Sequence, residues 1–212
     1  PLQVGDFIDF LLKTFYTDIG YKLIFHPVDV HQHTLVYEDR SITVYSIPLQ
    51  HRLPTCGYLF KEKPGLPHIR REMIDAFNIP VSQINNIKAG ASWTTEDGTI
   101  IPHERLTTPA KPPRSYAYCS DTVYLPHLKD ILHGVTLLYH EATYMHERAL
   151  RAEQTRHTTA LQAATLARDA KVEKLCVGHF SASLKDENAL LHEAQSVFPN
   201  TILANEGLVV SI

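Results

Sequence analysis

The chain is poor in cysteine. Its 212 residues include three, Cys56, Cys119 and Cys176, far apart and beside apolar runs, with no Cys-x-x-Cys spacing. That excludes a disulfide-stapled fold and a thiolate zinc knuckle, and leaves three small buried hydrophobes of a reducing compartment. Long apolar runs are absent as well. No stretch approaches the ~20 residues that cross a bilayer, and no secretory leader is visible. The expected location is the cytoplasm, with no membrane partner. Positive charge is not in excess, since the formal net charge is −3. A general cationic field for nucleic acid is excluded, so a nucleic-acid partner must be drawn by a local patch or by bound metal. There is no internal repeat and no low-complexity tract. The chain opens Pro1-Leu2-Gln3-Val4 without an initiator methionine, and it is expected to be a processed or trimmed piece of something longer.

Apolar residues make up 44% of the chain, an ordinary content for a globular protein with one good core. The spacing of Phe7, Ile8, Phe10, Leu11, Leu12 and Phe15 predicts a helix over 6–15 with Asp6 as N-cap. Strand-like runs follow at 21–25, 34–37, 42–47 and 57–60, with a polar hairpin link at Glu38-Asp39-Arg40. Residues 61–114 hold seven of the thirteen prolines (Pro64, Pro67, Pro80, Pro102, Pro109, Pro112 and Pro113). A short helix over 68–77 and a tight turn at Asp97-Gly98 are expected there. From Ser115 the texture is α/β. Strands are predicted at 115–119, 135–140, 175–178, 201–204 and 208–212, and helices at 123–132, 158–171 and 186–198, the last capped by Asp186. The expected organisation is α/β: residues 1–60 as first helix and sheet, 61–114 as an inserted arm, and 115–212 as the C-terminal α/β half of the same domain.

Thirteen histidines is a high count, and several stand where apolar runs stop. Pro48-Leu49-Gln50-His51, Ser120-Asp121-Thr122, His140-Glu141-Ala142-Thr143 and Gly178-His179-Phe180-Ser181 all mark strand exits, and His157-Thr158-Thr159 opens a helix. Strand exits are where α/β sheets place their chemistry. A carboxylate at the end of a buried strand is costly unless paired or bound to a cation. His51, Asp121 and His179 together offer two imidazoles and a carboxylate, a set that suits zinc or manganese. Taken singly, each would more simply cap or hydrogen-bond a loop; three at three exits favour metal. His157 admits two readings of equal weight. It is either a proton donor partnered by Glu141 or a helix-start histidine bonded to a threonine.

These segments, in this order, resemble the ribonuclease Z family. Pro48-Leu49-Gln50-His51 with Gly57-Tyr58 resembles its zinc-ligand histidine and the Gly-Tyr strand after it. Ser120-Asp121-Thr122 resembles its Asp-Thr motif, His140-Glu141-Ala142-Thr143-Tyr144 its His-Glu-Ala-Thr-Phe motif, and His157-Thr158-Thr159-Ala160-Leu161-Gln162-Ala163-Ala164 its His-Ser-Thr-x-x-Gln-Ala-Ala motif. Gly178-His179-Phe180-Ser181 matches the last ligand motif. The resemblance implies a metallo-β-lactamase-like αβ/βα sandwich, incomplete at its N-terminus, and removal of the 3′ trailer from precursor tRNA at two zinc ions, with manganese as an alternative. It implies His51 and His179 as ligands of the two metals, Asp121 as the bridge, and His157 as proton donor to the leaving 3′ oxygen, steered by Glu141. It also implies a homodimer and a tRNA-binding arm at 61–114.

Three departures accompany the resemblance. The family's His-x-His-x-Asp-His run, with four of its seven ligands, would lie upstream, so this chain, with three ligands split between two metals, is expected to have impaired activity on its own. Here His31-Gln32-His33 is not followed by Asp-His, and it reads as a hairpin-loop pair. Ser183 and Leu184 stand where the family continues with arginine and tyrosine. The arm lacks the family's Gly-Pro cluster and keeps only Lys88-Ala89-Gly90. Two other readings remain open: a metallo-β-lactamase-fold phosphodiesterase or sulfatase acting on small molecules, and a non-catalytic RNA-binding or dimerisation module.

Overall fold

The computed structural model describes residues 3–16 and 18–212; Pro1, Leu2 and Thr17 lie outside the described residues. The chain opens with α1 (Gln3–Thr14), so Asp6 falls in its first turn and does not cap it. Three strands follow, β1 (Leu35–Glu38), β2 (Ile42–Pro48) and β3 (Cys56–Glu62). The arm holds β4 (His68–Ile69), α2 (Arg71–Ala76), α3 (Val81–Lys88), β5 (Trp93–Thr94), β6 (Ile100–Ile101), α4 (His103–Leu106) and β7 (Thr107–Thr108). The last part runs β8 (Ser115–Cys119), α5 (Leu128–Ile131), β9 (Leu137–Glu141), a 3-10 turn at His146–Arg148, α6 (Ala149–Thr155), α7 (Ala160–Asp169), β10 (Lys174–Gly178), α8 (Glu187–Gln195) and β11 (Thr201–Leu203).

Seven strands form one sheet in the order β1-β2-β3-β8-β9-β10-β11. The first three pairings are antiparallel, and β8 through β11 are parallel. Alternation along the strands splits the two faces. Leu59, Ala117, Leu138 and Leu175, all fully buried, point into the main core beneath α7 and α8. α7 meets them with Ala160, Ala163, Ala164 and Ala167, side chains short enough to let a helix lie close to a sheet. The opposite face carries Tyr58, Phe60, Tyr116, Tyr118 and Tyr139 in register. Tyr118 and Tyr139 stack with ring centroids 4.7 Å apart. In the arm, Ile79, Ile87, Ile101 and Leu106 make a second, separate buried cluster. Among the described residues no helix is long and apolar enough to cross a membrane.

Several elements differ from expectation, each for a local reason. Residues 21–25 form no strand; Phe25 packs on Gly5 of α1 instead, and Pro27 lacks the N–H that a ladder needs. The expected helix over 68–77 begins only at Arg71, because His68 and Ile69 pair with Thr108 and Thr107. The expected helix over 123–132 shortens to α5. Leu125 precedes Pro126 and so disfavours helical backbone, and the Val123 N–H is held by the Gln50 carbonyl. Residues 208–212 do not close the sheet: after a turn at Gly207 (φ +79°) the chain leaves the ladder, and the Ile212 oxygen accepts from Arg114 Nη1. α3, α4 and α6 stand where the sequence reading expects no helix, although α3 carries helical spacing at Val81, Ile84 and Ile87.

Two packing details generate predictions. Gly57 of β3 lies so close to β8 that a Cβ would collide with the Tyr118 carbonyl oxygen, a backbone atom, whereas a Cβ on Gly65 would meet nothing nearer than Ala110 Cβ at 3.7 Å. Gly57→Ala is therefore expected to cost about 1–3 kcal/mol in urea unfolding, and Gly65→Ala to leave the midpoint nearly unchanged. His140 is fully buried in β9, its Nδ1 bonded to the Glu141 carbonyl at 2.7 Å and its Nε2 without a partner among the described residues. Burial lowers its pKa from the usual 6.5, against the opposing hydrogen bond and charge of Glu141. Below that value the unfolded chain takes up a proton that the folded chain refuses, so stability should fall as pH drops below about 6.5. His140→Asn should flatten this part of the pH–stability curve; an unchanged slope would place its origin elsewhere.

Candidate active site

β8, β9 and β10 run parallel, so Asp121, Glu141 and His179 all lie at their carboxyl ends. β2 is antiparallel to β3, which is antiparallel to β8, so Gln50 and His51 leave at the same edge. Open α/β sheets bind ligands there. α7 begins at this edge too. Thr159 caps it with a capping box to Gln162, and that fixes His157 and Thr158 just ahead of the helix.

Glu141 is the hub. It is fully buried, and four donors saturate its two oxygens. Oε1 accepts the Thr122 backbone N–H at 2.7 Å and His157 Nδ1 at 2.8 Å. Oε2 accepts the Thr143 hydroxyl at 2.6 Å and the Thr158 backbone N–H at 3.1 Å. Burial of a carboxylate is tolerable only with such partners, and the first turn of α7 adds the favourable end of a helix dipole.

This hub sets the tautomers of His157 and His179. Thr143 gives its one hydroxyl proton to Glu141, so its oxygen accepts from His179 Nδ1 at 2.9 Å. His157 Nδ1 donates to the carboxylate. His51 Nδ1 lies 2.9 Å from the Arg156 carbonyl, which can only accept. All three imidazoles are thus anchored through Nδ1–H, and each leaves Nε2 for a metal, a proton or a substrate. The His157 ring stands 4.9 Å from that of His51 and 5.2 Å from that of His179, centroid to centroid. The five residues singled out in the sequence, His51, Asp121, Glu141, His157 and His179, therefore occupy one chain of contacts.

His179 Nε2 is 3.2 Å from Asp121 Oδ1. A lone pair and a carboxylate oxygen at that separation repel unless a proton or cation lies between them, so the pair fits a divalent metal. The side chains of Asp121 and His179 are 43% and 41% exposed, that of His157 only 13%. The pair is open to solvent and the third imidazole is recessed. Glu141, His157 and His179 also offer atoms within 4.8 Å of one another. The four donors on Glu141 remove it as a ligand and leave it an orienting role. Asp121 (φ +56°), Arg156 (φ +62°) and His179 (φ +60°) all adopt left-handed backbone, a conformation that costs non-glycine residues energy and clusters at functional sites.

Sequence reasoning missed Arg156. It closes α6 in the left-handed conformation, and besides receiving His51 Nδ1 on its carbonyl it donates Nη1 to the His51 carbonyl at 3.2 Å. Nothing in the local sequence announces a contact across 105 positions. Thr143 was visible only as part of His-Glu-Ala-Thr. Of the His31-Gln32-His33 pair, His33 is engaged elsewhere, with Nδ1 on the Ser46 carbonyl and its ring stacked on Tyr45, while His31 lines a cavity together with His51 and Arg156.

No protein-family model matches the chain. Among curated proteins it is 52% identical over 205 residues to the ribonuclease Z of Phocaeicola vulgatus, covering 97% of this chain and 65% of that protein. It is 50% identical over 212 residues to the ribonuclease Z of Bacteroides fragilis, covering all of this chain and 70% of that one. The chain thus spans about two thirds of the length of the curated relatives it matches. Human tRNase Z, short form, superposes over the whole chain with a TM-score of 0.61 at 18% identity, covering 64% of that protein. The metallo-β-lactamase fold protein YhfI of Bacillus subtilis superposes over 87% of this chain and 54% of that one, with a TM-score of 0.54 at 16% identity. The fold is that of the metallo-β-lactamases, and by identity across its length the chain belongs to the ribonuclease Z family.

Proposed function

We propose that this protein is a zinc-dependent endoribonuclease that removes the 3′ trailer from precursor tRNA. The observation that carries the reading is the Glu141 hub, which holds His157 directly and His179 through the Thr143 hydroxyl. In this reading His51, Asp121 and His179 are the metal ligands that this chain contributes. Bound metal supplies a water ionised near neutral pH and positive charge for the phosphate. His157, recessed and oriented by Glu141, delivers a proton from Nε2 to the leaving 3′ oxygen, so the product ends in a 3′ hydroxyl. The Glu141 carboxylate offsets the positive charge that His157 carries before the transfer. His51 stays in place because Arg156 grips it through two hydrogen bonds.

Two further features support an RNA substrate. Arg148 donates Nη1 to Ser183 Oγ at 2.8 Å and lies over the Tyr144 ring. It sets a guanidinium against Ser183, the residue that stands at the family's arginine position, beside the His179 loop. The arm at 61–114 is a surface for the body of the tRNA, held in shape by its own buried cluster. The reading includes a cytoplasmic homodimer, with manganese able to substitute for zinc.

His157→Ala should lower precursor-tRNA cleavage roughly 10²–10⁴-fold while zinc content, read by elemental mass spectrometry, stays constant. His179→Ala and Asp121→Asn should instead lower zinc content. Retention of full zinc by both would reject the ligand assignment, and cleavage of bis-p-nitrophenyl phosphate without cleavage of tRNA would favour a small-molecule phosphodiesterase. Glu141→Gln places an amide donor against backbone donors. It should cost about 1–3 kcal/mol of stability and reduce cleavage as well, read by urea unfolding and turnover on the same preparation.

A further inference from the structure

His157 forms part of the wall of a second feature, a cavity of about 570 Å³ between the Gln50 and Tyr124 segments and the start of α6 and α7. Its walls are unlike those of an anion site. Val123, Tyr124 and Leu150 supply apolar and aromatic surface, and Leu150 is 78% exposed at the mouth. The charged groups are Glu153 and Arg156, of opposite sign, and Arg156 already donates to the His51 carbonyl. Two carboxamides complete the lining. Gln50 is pinned by its backbone, with N–H to Thr122 Oγ1 and carbonyl from the Val123 N–H, and its side chain has no hydrogen-bond partner among the described residues. Gln162 uses Oε1 on the Thr159 N–H, which leaves its amide N–H₂ as a donor. Apolar and aromatic walls with a few polar groups and no net charge suit a flat, neutral, hydrogen-bonding ligand.

We propose that this cavity is a nucleobase subsite, and that it takes the base of the nucleoside whose 3′ oxygen leaves during cleavage. The proposal rests on the reading of His157 as proton donor: the nucleoside bearing that oxygen must sit against His157, and this cavity has His157 in its wall. Tyr124 and Leu150 contact the faces of the base, and the carboxamides of Gln50 and Gln162 reach its edge, as glutamine does in base recognition. Stacking accepts all four bases, so the subsite fixes the position of the cut nucleoside more than its identity.

The test uses the full chain and RNA hairpins that end in a 3′ hydroxyl, either with a normal terminal base or abasic at that nucleotide. Anisotropy titrations should show the base-bearing end binding roughly tenfold tighter, the scale of one stacked base. Gln50→Ala, at an exposed position, and Tyr124→Ala should erode that difference without weakening the abasic RNA, and Tyr124→Phe should retain it. A terminal 4-thiouridine should cross-link to the peptides containing Tyr124 or Leu150. Equal binding of both ends, or cross-links only elsewhere, would overturn the subsite and leave the nuclease reading standing. Failure to bind either RNA would overturn both.

Discussion

A carboxylate sealed at the end of a parallel strand is stable only when its lone pairs are matched, and Glu141 is matched by four donors from three parts of the chain. The Thr122 amide ties it to the loop after β8, the Thr143 hydroxyl to the loop after β9, and His157 with Thr158 to the start of α7. Loss of the carboxylate would strand two buried amide protons and release two side chains at once. The same interaction serves stability and chemistry: the groups that make burial of the charge tolerable are the groups that orient the imidazoles.

The sheet and its helices exist, for function, to deliver those donors. The alanine face of α7 lets the helix settle on β9 and β10 closely enough for the residues just ahead of it to reach Glu141. Parallel pairing of β8, β9 and β10 puts three loops at one edge. The left-handed backbone at Asp121, Arg156 and His179 then turns each residue out of its element at the point of use. Strain at these three places is held by the surrounding hydrogen bonds, among them Ser181 N–H to the Thr143 carbonyl and His157 N–H to the Ala152 carbonyl.

Much of this was legible in the sequence because the signals are local. β8, β9 and β10 are short apolar runs that end in or just before a histidine or carboxylate, and Asp186 caps α8 through two backbone N–H groups. What was not legible depends on distant partners. Residues 21–25 have strand-like composition, but Phe25 packs on α1. Residues 208–212 look like a closing strand until Gly207 turns the chain away. The Arg156 grip on His51 joins segments more than a hundred residues apart through a carbonyl, which no side-chain pattern encodes. The quartet of donors on Glu141 was only half visible, since two of the four are backbone amides.

The most direct measurement is the ¹⁵N chemical shift of the histidine ring nitrogens in the metal-free protein at neutral pH. Protonated Nδ1 at both His157 and His179, with His179 losing that preference in Thr143→Val, is the expected result. Bare Nδ1 in the two rings, or tautomers that interconvert freely as in a solvated imidazole, would contradict the claim that one buried carboxylate sets the geometry of the site.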